Sequence, residues 1–309
     1  MISVIVITYN RKNELKECIE SILNQTIIPD EIIIVDNSSN DGTDKLFLSG
    51  EINHPTIKYY KLDKNLGVAG GRNYGISKSN GDILLFLDDD AVIEPENAFE
   101  KVIAKFKEDP SLGVLAFKII NYYTKKIMSE EFPHKDKSLD PDKEFETTYF
   151  IGAGHAIKKE VFDKCGLYPD DYFYGMEELD LSFRILDMGY KIIYFPEIIV
   201  WHKKSFYGRI TNKEKWINTL HNRMCIAYKY LPTIDFIISS LLWFAKVAIR
   251  SKSLAIPFLG VERFIFSKKE INSLLFLSSF NSLSTFLIIS PIEKCSIFSG
   301  KIISANILE

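Results

Sequence analysis

Three adjacent carboxylates, Asp88-Asp89-Asp90, close the apolar run Leu84-Leu85-Phe86-Leu87. Like charges this close repel one another, so a positive group belongs among them. A hard divalent cation, Mg2+ or Mn2+, prefers oxygen ligands and bridges to phosphates. Alternate residues of an extended segment face the same way, so Asp88 and Asp90 can look into one site while Asp89 turns aside. A second acidic group, Glu177-Glu178 with Asp180 and Arg184 beyond, reads as the first turn of a helix, where the dipole favours acids. A carboxylate beside other acids has a raised pKa, which suits proton abstraction near neutrality. Between these groups lies Asn65-Leu66-Gly67-Val68-Ala69-Gly70-Gly71-Arg72-Asn73-Tyr74-Gly75. Its glycines let the backbone approach a ligand closely, and it opens a helix whose N-terminus favours anions. It is not GxGxxG and does not follow the first strand, so it matches a dinucleotide fingerprint poorly. No serine elbow or Cys/His arrangement for covalent catalysis stands out.

The surrounding pattern must position these groups. Ile2 to Ile7 and Glu31 to Val35 are apolar, β-branched runs of strand length, joined by a helix from about Glu14 to Asn24 with Asn13 as its cap. A β-α-β unit of this length implies parallel strands with a right-handed crossover. A third strand is read at Ile57 to Tyr60, and the acidic strand follows. Glu94-Pro95-Glu96 starts a helix reaching about Phe106, and Gly113 to Phe117 is the next strand. From Asn121 to Thr147 the chain is polar without apolar periodicity and reads as a loop or hairpin on the acceptor side. Phe150 to Ile157 pairs glycines with a strand, a short helix runs from Lys158 to Lys164, and strand Lys191 to Phe195 precedes Val200-Trp201-His202. Ligands gather beyond the carboxyl ends of strands in open α/β sheets, which is where Asp36 and Asp88 fall.

The 309 residues, 46% hydrophobic and 26% charged, can bury a sizeable core. The net charge of -3 is uneven: from Lys213 onward 12 Lys and Arg face 6 Asp and Glu, a balance of +6 that leaves -9 on the rest. An acidic front half argues against nucleic acid, and a basic, apolar tail fits an anionic membrane surface. Four scattered cysteines without a CxxC pair argue against a structural zinc site or a disulfide framework. The apolar run at Ile2 has no basic residues before it, so no secretory signal is read.

Six segments in this order and spacing resemble family 2 glycosyltransferases: Thr8 to Arg11, Val35 to Ser39, Asn65 to Asn73, Leu87 to Asp90, Gly175 to Arg184, and Trp201-His202. The likeness covers roughly residues 1–230 and is nearest to the rhamnosyltransferase-like and galactofuranosyltransferase-like branch. It implies an α/β chain of the GT-A, nucleotide-diphospho-sugar transferase fold, with a mostly parallel central sheet flanked by helices. The implied activity is inverting, metal-dependent hexosyl or deoxyhexosyl transfer from a nucleotide-diphosphate sugar to a saccharide or lipid-linked acceptor in cell-surface glycan synthesis. On this likeness Asp36 contacts the base, with Thr8 and Arg11 flanking that pocket, and Gly70, Arg72 and Asp88 complete the donor site. Asp90 is the direct ligand of Mn2+ or Mg2+, Asp88 the second member of the pair, and His202 the third ligand. Glu178 stands where the family has the catalytic Asp of a Glu-Asp pair; Glu-Glu is a departure, so Glu177 is its rival. Gly152, Ala153, Gly154, Asp180 and Trp201 fall on the acceptor side. Two alternatives are a nucleotidyltransferase making the sugar nucleotide and a non-catalytic sugar-nucleotide-binding scaffold subunit.

The division expected is residues 1–210 for the transferase domain and 211–309 for a helical region that associates with membrane or oligomerises, as in a homodimer. Asn212 to Tyr230 reads as one helix, and basic residues alternate with aromatic ones from Ile234 to Lys269. That mixture suits helices lying in a membrane interface. The expected location is cytoplasmic, peripheral at the inner face of the cell membrane. Ile271 to Ile292 lacks charge but is polar for a membrane span.

Overall fold

A computed structural model describes residues 1–205 and 210–280, with side chains described to residue 268. In chain order the elements are β1 (Ile2–Thr8), α1 (Lys12–Leu23), β2 (Glu31–Asp36), α2 (Thr43–Leu48), β3 (Ile57–Lys61), α3 (Gly67–Lys78), β4 (Ile83–Asp88), β5 (Ala91–Glu94), α4 (Ala98–Glu108) and β6 (Leu112–Asn121). They continue with a 3-10 turn (Ser129–Glu131), β7 (Phe145–Thr147), β8 (Gly154–Lys158), α5 (Lys159–Cys165), α6 (Glu177–Asp187), β9 (Lys191–His202), α7 (Asn212–Tyr230), α8 (Thr233–Ser251) and α9 (Ala255–Phe280).

The strands form one sheet in the order β3-β2-β1-β4-β8-β6-β9-β5, with β7 pairing β9. The β3-β2-β1-β4 half is parallel, as is β6 with β9, whereas β8 runs antiparallel to both β4 and β6. The continuous apolar runs have a simple cause: both faces of the sheet are covered. On one face Val4, Val6, Ile32, Ile34, Leu85 and Leu87 pack with Ile19 of α1 and Phe99 and Val102 of α4. On the other, Ile5, Ile33, Val35, Leu84 and Phe86 pack with Ile76 of α3, Val161 of α5 and Leu181 and Ile185 of α6. Each such side chain, fully buried, contributes about 1.5–3 kcal/mol by leaving water. A one-residue slip would swap every one of them to the other face and its differently shaped packing, so the two cores hold the register.

Register then aligns the polar strand ends. Thr8 stands opposite Asp36, and Ile7 opposite Asp88, so three strands end together at one edge of the sheet. Strand β4 ends at Asp88, which faces Arg72 of α3 as the pleat requires after Leu84 and Phe86, and the chain then turns, with Asp89 facing Arg11 at the start of α1.

Several local expectations change. The first helix starts at Lys12 with Arg11 at its cap and no side-chain cap bond, so Asn13 lies inside the helix instead of capping it. Residues 91–94 form strand β5, and the helix starts only at Ala98, because Ala91 to Glu94 is drawn into pairing with β9. Trp201-His202 is the end of the single long strand β9, which absorbs its break as a bulge opposite Phe117/Lys118. The 121–147 segment contains the 3-10 turn and β7.

The chain divides into two units, residues 1–173 with 177–209, and residues 174–176 with 210 onward. In the second, α7, α8 and α9 pack on one another. Trp243 and Phe264 are buried there, while Phe258 and Phe266 are exposed. Among the described residues no helix is long and apolar enough to cross a membrane. The stretch from 281 to 292, the Cys295 thiol and the side chain of Lys269 lie outside the described residues. Among the described residues, Cys18, Cys165 and Cys225 are buried and form no disulfide.

Candidate active site

The triple-acid segment divides as its alternation predicts. Asp89 turns to Arg11, whose Nη1 lies 2.7 Å from its Oδ1, and accepts the Tyr9 N–H at 3.3 Å. Burial pushes the Asp89 carboxyl up to about 7, against the pull of Arg11. Asp90 goes the other way: burial alone would raise it, but His202 and Arg11 outweigh burial and hold it below the carboxylate range. Its Oδ2 accepts the Ser205 N–H at 2.7 Å. Its buried Oδ1 accepts no well-aligned hydrogen bond, although His202 Nε2 is 3.3 Å and Arg11 Nη1 3.5 Å away.

His202 arrives from residues far away in sequence. Pairing of β5 with β9 sets Ala91 opposite His202, which brings the imidazole beside Asp90. Asp88, Asp90 and His202 each offer one ligand atom, and these atoms lie within 4.8 Å of one another. Two carboxylate oxygens, one of them buried without a good donor, and an imidazole nitrogen form a set that fits Mn2+ or Mg2+. Burial disfavours the charged imidazole, yet Asp90 and Glu131 raise His202 to about 10. Glu131, from the 3-10 turn, meets the far ring nitrogen Nδ1 at 2.5 Å.

Arg72 joins this cluster to the second one. It is buried; Nη1 lies 2.6 Å from Glu178 Oε1 and 3.7 Å from Glu177 Oε1, and Nη2 lies 3.5 Å from Asp88 Oδ1. Nη2 also donates to the Gly152 carbonyl at 3.1 Å, and the guanidinium sits over the Tyr168 ring, 5.3 Å from its centre. One guanidinium thus faces three carboxylates. The surplus negative charge is relieved at Glu177, which is buried with Oε2 unbonded; burial and then Glu178 push it up to about 8, which favours its protonated form. Glu178 is the more open of the two, its side chain 15% exposed. Gly152 permits this packing, because a Cβ there would lie 2.1 Å from Glu178 Oε1 and 2.6 Å from Arg72 Nη2.

At the end of β2, Asp36 is fully buried; Oδ1 accepts the Ser39 N–H at 2.7 Å and Oδ2 the Tyr59 hydroxyl at 2.6 Å. Burial, then Asp36 itself, raise the Tyr59 phenol above its ordinary range. Thr8 is buried beside it, its carbonyl accepting the Asn37 N–H. Asn37 also ties β2 to the start of α3 through the Gly67 carbonyl and the Leu66 N–H. Gly67 holds φ +74°, and a Cβ there would lie 2.3 Å from the Phe173 carbonyl oxygen, so only glycine starts this helix without strain. Gly70 lies in the first turn of α3.

The residues expected on the acceptor side separate. Gly152 touches the Arg72–Glu178 pair, and the Ala153 carbonyl accepts the Asp88 N–H at 3.2 Å. Gly154 starts β8 against Val200. Asp180 is buried in α6, paired with Arg184 Nε at 3.1 Å and accepting the Tyr172 hydroxyl at 3.3 Å. Trp201 turns the opposite way from His202, donating Nε1–H to Glu94 at 2.8 Å with Lys125 over its ring. His155 is a buried ring stacked on Phe86, with Nε2 2.8 Å from the Tyr168 hydroxyl. Sequence reasoning missed Glu131 and Tyr168. The Glu130-Glu131 pair was visible, but nothing in a charged, aperiodic stretch singles out one acid.

The profile of Glycosyl transferase family 2 matches residues 3–166. An uncharacterised protein of Haemophilus influenzae is 38% identical over 175 residues, 55% of this chain and 93% of that protein. The O-antigen chain rhamnosyltransferase RfbN of Salmonella typhimurium is 23% identical over 67% of this chain and 68% of its own length. Among solved structures, GalNAc-T7 with UDP, GalNAc and Mn2+ superposes with a TM-score of 0.60 at 18% identity, over 74% of this chain and 48% of that one. This chain therefore spans about half the length of that transferase. The mannosyltransferase PcManGT of Pyrobaculum calidifontis, in complex with GDP-Man and Mn2+, gives a TM-score of 0.56 at 18% identity, over 92% and 81% of the two chains. The fold is that of GT-A glycosyltransferases, and with the family profile matching more than half of its length, this chain belongs to glycosyl transferase family 2.

Proposed function

We propose that the protein is a metal-dependent, inverting glycosyltransferase that moves a hexosyl or deoxyhexosyl group from a nucleotide-diphosphate sugar to a saccharide or lipid-linked saccharide. The observation that carries this reading is the adjacency of two clusters: the Asp88-Asp90-His202 ligand set and the Glu178 carboxylate, bridged by buried Arg72. Asp88, Asp90 and His202 would hold Mn2+ or Mg2+, which supplies charge neutralisation for the departing diphosphate. In the transfer, the acceptor hydroxyl oxygen forms a bond to the anomeric carbon while the bond from that carbon to the diphosphate breaks and its electron pair leaves on phosphate. The hydroxyl proton goes to Glu178, the more open carboxylate of the pair. A single displacement of this kind inverts the anomeric centre. Asp36 would contact the nucleotide base between Thr8 and Arg11, and Arg72 would reach the phosphates or the sugar. The likeness to the rhamnosyltransferase RfbN and the Mn2+ of the structural neighbours support the substrate class and the metal. Turnover of a panel of nucleotide sugars, with and without chelator, tests it; full turnover in chelator would remove the metal from the reading.

The second unit supports a location at an anionic membrane surface. Ile234, Ile237, Ile238, Leu241, Leu242 and Ile249 are exposed along one side of α8, with Lys246 and Arg250 beside them. Apolar side chains flanked by basic ones suit an interfacial helix, each basic residue adding about 1 kcal/mol near anionic lipid. Flotation with anionic liposomes tests this; Leu241→Asp should abolish flotation. Loss of a dimer in that variant without any liposome binding by the parent chain would make the face a self-association surface.

A further inference from the structure

We infer that Glu131 is the positioning residue of the metal site, holding His202 in the orientation and tautomer that present Nε2 to the cation. The inference rests on the metal-site reading of Asp88, Asp90 and His202. The imidazole has two nitrogens with opposite surroundings: Nε2 faces Asp90 Oδ1 at 3.3 Å and Asp88 Oδ2 at 3.9 Å, and Nδ1 faces Glu131 Oε1 at 2.5 Å. An imidazole that gives Nε2 to a metal keeps its proton on Nδ1, and that N–H then needs an acceptor. A carboxylate is the strongest acceptor available, and such partners fix the ring and raise ligand basicity. Glu131 does not itself belong to the ligand set, because it lies on the side of the ring away from Asp90.

The placement is built rather than incidental. Glu131 is 4% exposed, so its charge is held out of water and needs partners. His202 supplies the hydrogen-bond partner of Oε1, and Lys204 Nζ, 3.3 Å from Oε2, pairs with it by charge without a hydrogen bond. The backbone is fixed on both sides. The Glu131 N–H donates to the Met128 carbonyl at 2.9 Å, and the next side chain, Phe132, is buried against the rings of Phe145 and Tyr194. The neighbouring Glu130 shares the turn and pairs with Lys204 Nζ at 2.8 Å, but it is exposed and does not meet the imidazole. A segment whose sequence reads as acceptor-side loop thereby supplies the support of a donor-side metal ligand.

The test uses the full-length chain stripped of metal, with Mn2+ alone as the probe and free Mn2+ read by electron paramagnetic resonance. Glu131→Ala should weaken Mn2+ binding about 10- to 100-fold, the usual cost of losing such a partner. Glu131→Gln, which keeps an acceptor but not the charge, should fall between Ala and the parent, and it decides the matter if the alanine variant does not fold. Glu130→Gln should bind as the parent does. In a His202→Ala background Glu131→Gln should cost nothing further, a result that a merely structural role would not produce. Mn2+ affinity of Glu131→Gln and Glu131→Ala within twofold of the parent overturns this inference alone, and so does an undiminished Glu131→Gln effect when His202 is absent. Failure of the unaltered chain to bind Mn2+ overturns the metal site and this inference together.

Discussion

In the parallel half of the sheet, Thr8, Asp36 and Asp88 are strand-end residues, each immediately following the apolar run that predicts its strand. In the mixed half, the site is assembled across long separations: His202 reaches Asp90 through β5–β9 pairing, and Glu131 reaches His202 from a 3-10 turn. The first half is specified by local pattern plus a parallel register, and its polar residues gather wherever the strands end. The second depends on antiparallel insertions and a bulge, so one residue's environment is made by segments 70 or more positions away. The two halves meet at Arg72 and at the split between Asp88, Asp89 and Asp90.

The comparison breaks most severely at Asp90, the residue both halves share. Asp90→Ala removes the buried oxygen of the ligand set and leaves His202 Nε2 with Asp88 as its one remaining ligand partner, so Mn2+-dependent turnover should fall below detection together with Mn2+ binding. Retained Mn2+ binding in calorimetry would show that Asp88 and His202, one from each half, hold the cation without Asp90.

Next in size is Glu178→Gln, which should lower turnover about 10²-fold or more, the usual worth of general-base catalysis, with donor affinity preserved. Arg72 would keep Asp88 and Glu177 as partners, so the metal site stays intact. If Glu177→Gln is instead the variant with normal donor binding and lost chemistry, the base belongs to the buried acid. Smaller again is Gly152→Ala. The new methyl would sit 2.1 Å from Glu178 Oε1, but the atoms it meets are side-chain ends that can shift. A displacement near 1 Å costs up to about 10²-fold in rate, so turnover should drop by about 10-fold or more while the melting temperature moves little. An unchanged rate would mean that Glu178 in the free protein is not yet in its working position.

The legibility of the molecule follows the same division. The β-α-β opening, the acidic strand and helix α7 stand out because apolar period and length are local properties. Strand β5 was hidden under a helix-start signal at Pro95, since pairing with β9 is not written in residues 91–94. Asp88 and Asp90 fall on one site with Asp89 turned aside, as simple alternation suggests, although strand β4 ends at Asp88 and the other two lie in the turn beyond it. His202 could be reached only through its resemblance to a family, and Glu131 not at all, because a carboxylate's value there lies in a partner 71 residues away. Asp180 and Trp201, placed on the acceptor side by the family resemblance, make contacts with Arg184 and Glu94 that only tertiary packing reveals.

The smallest effect concerns the charge surplus around Arg72, and it should appear in stability before it appears in rate. Glu177 is held near 8 in the folded chain against an ordinary 4.5, because burial and Glu178 disfavour its charge. Between those two pH values the folded protein keeps a proton that the unfolded chain has released. The folded state therefore loses stability as pH rises through this window, and above about 8 the full penalty of a buried charge remains. Glutamine resembles the protonated acid and cannot ionise, so Glu177→Gln should melt as the parent does at pH 5 and above it at pH 8.5. Its amide must find an acceptor where Glu177 Oε2 now has no partner, which trims the gain. A surviving benefit of about 1 kcal/mol corresponds to about 2–4 °C. The other titrating groups are common to both proteins and cancel in the difference. Melting curves at the two pH values decide it: an equal shift at both, or none at pH 8.5, would mean that Arg72 already neutralises all three acids and that no surplus proton is held between the two halves.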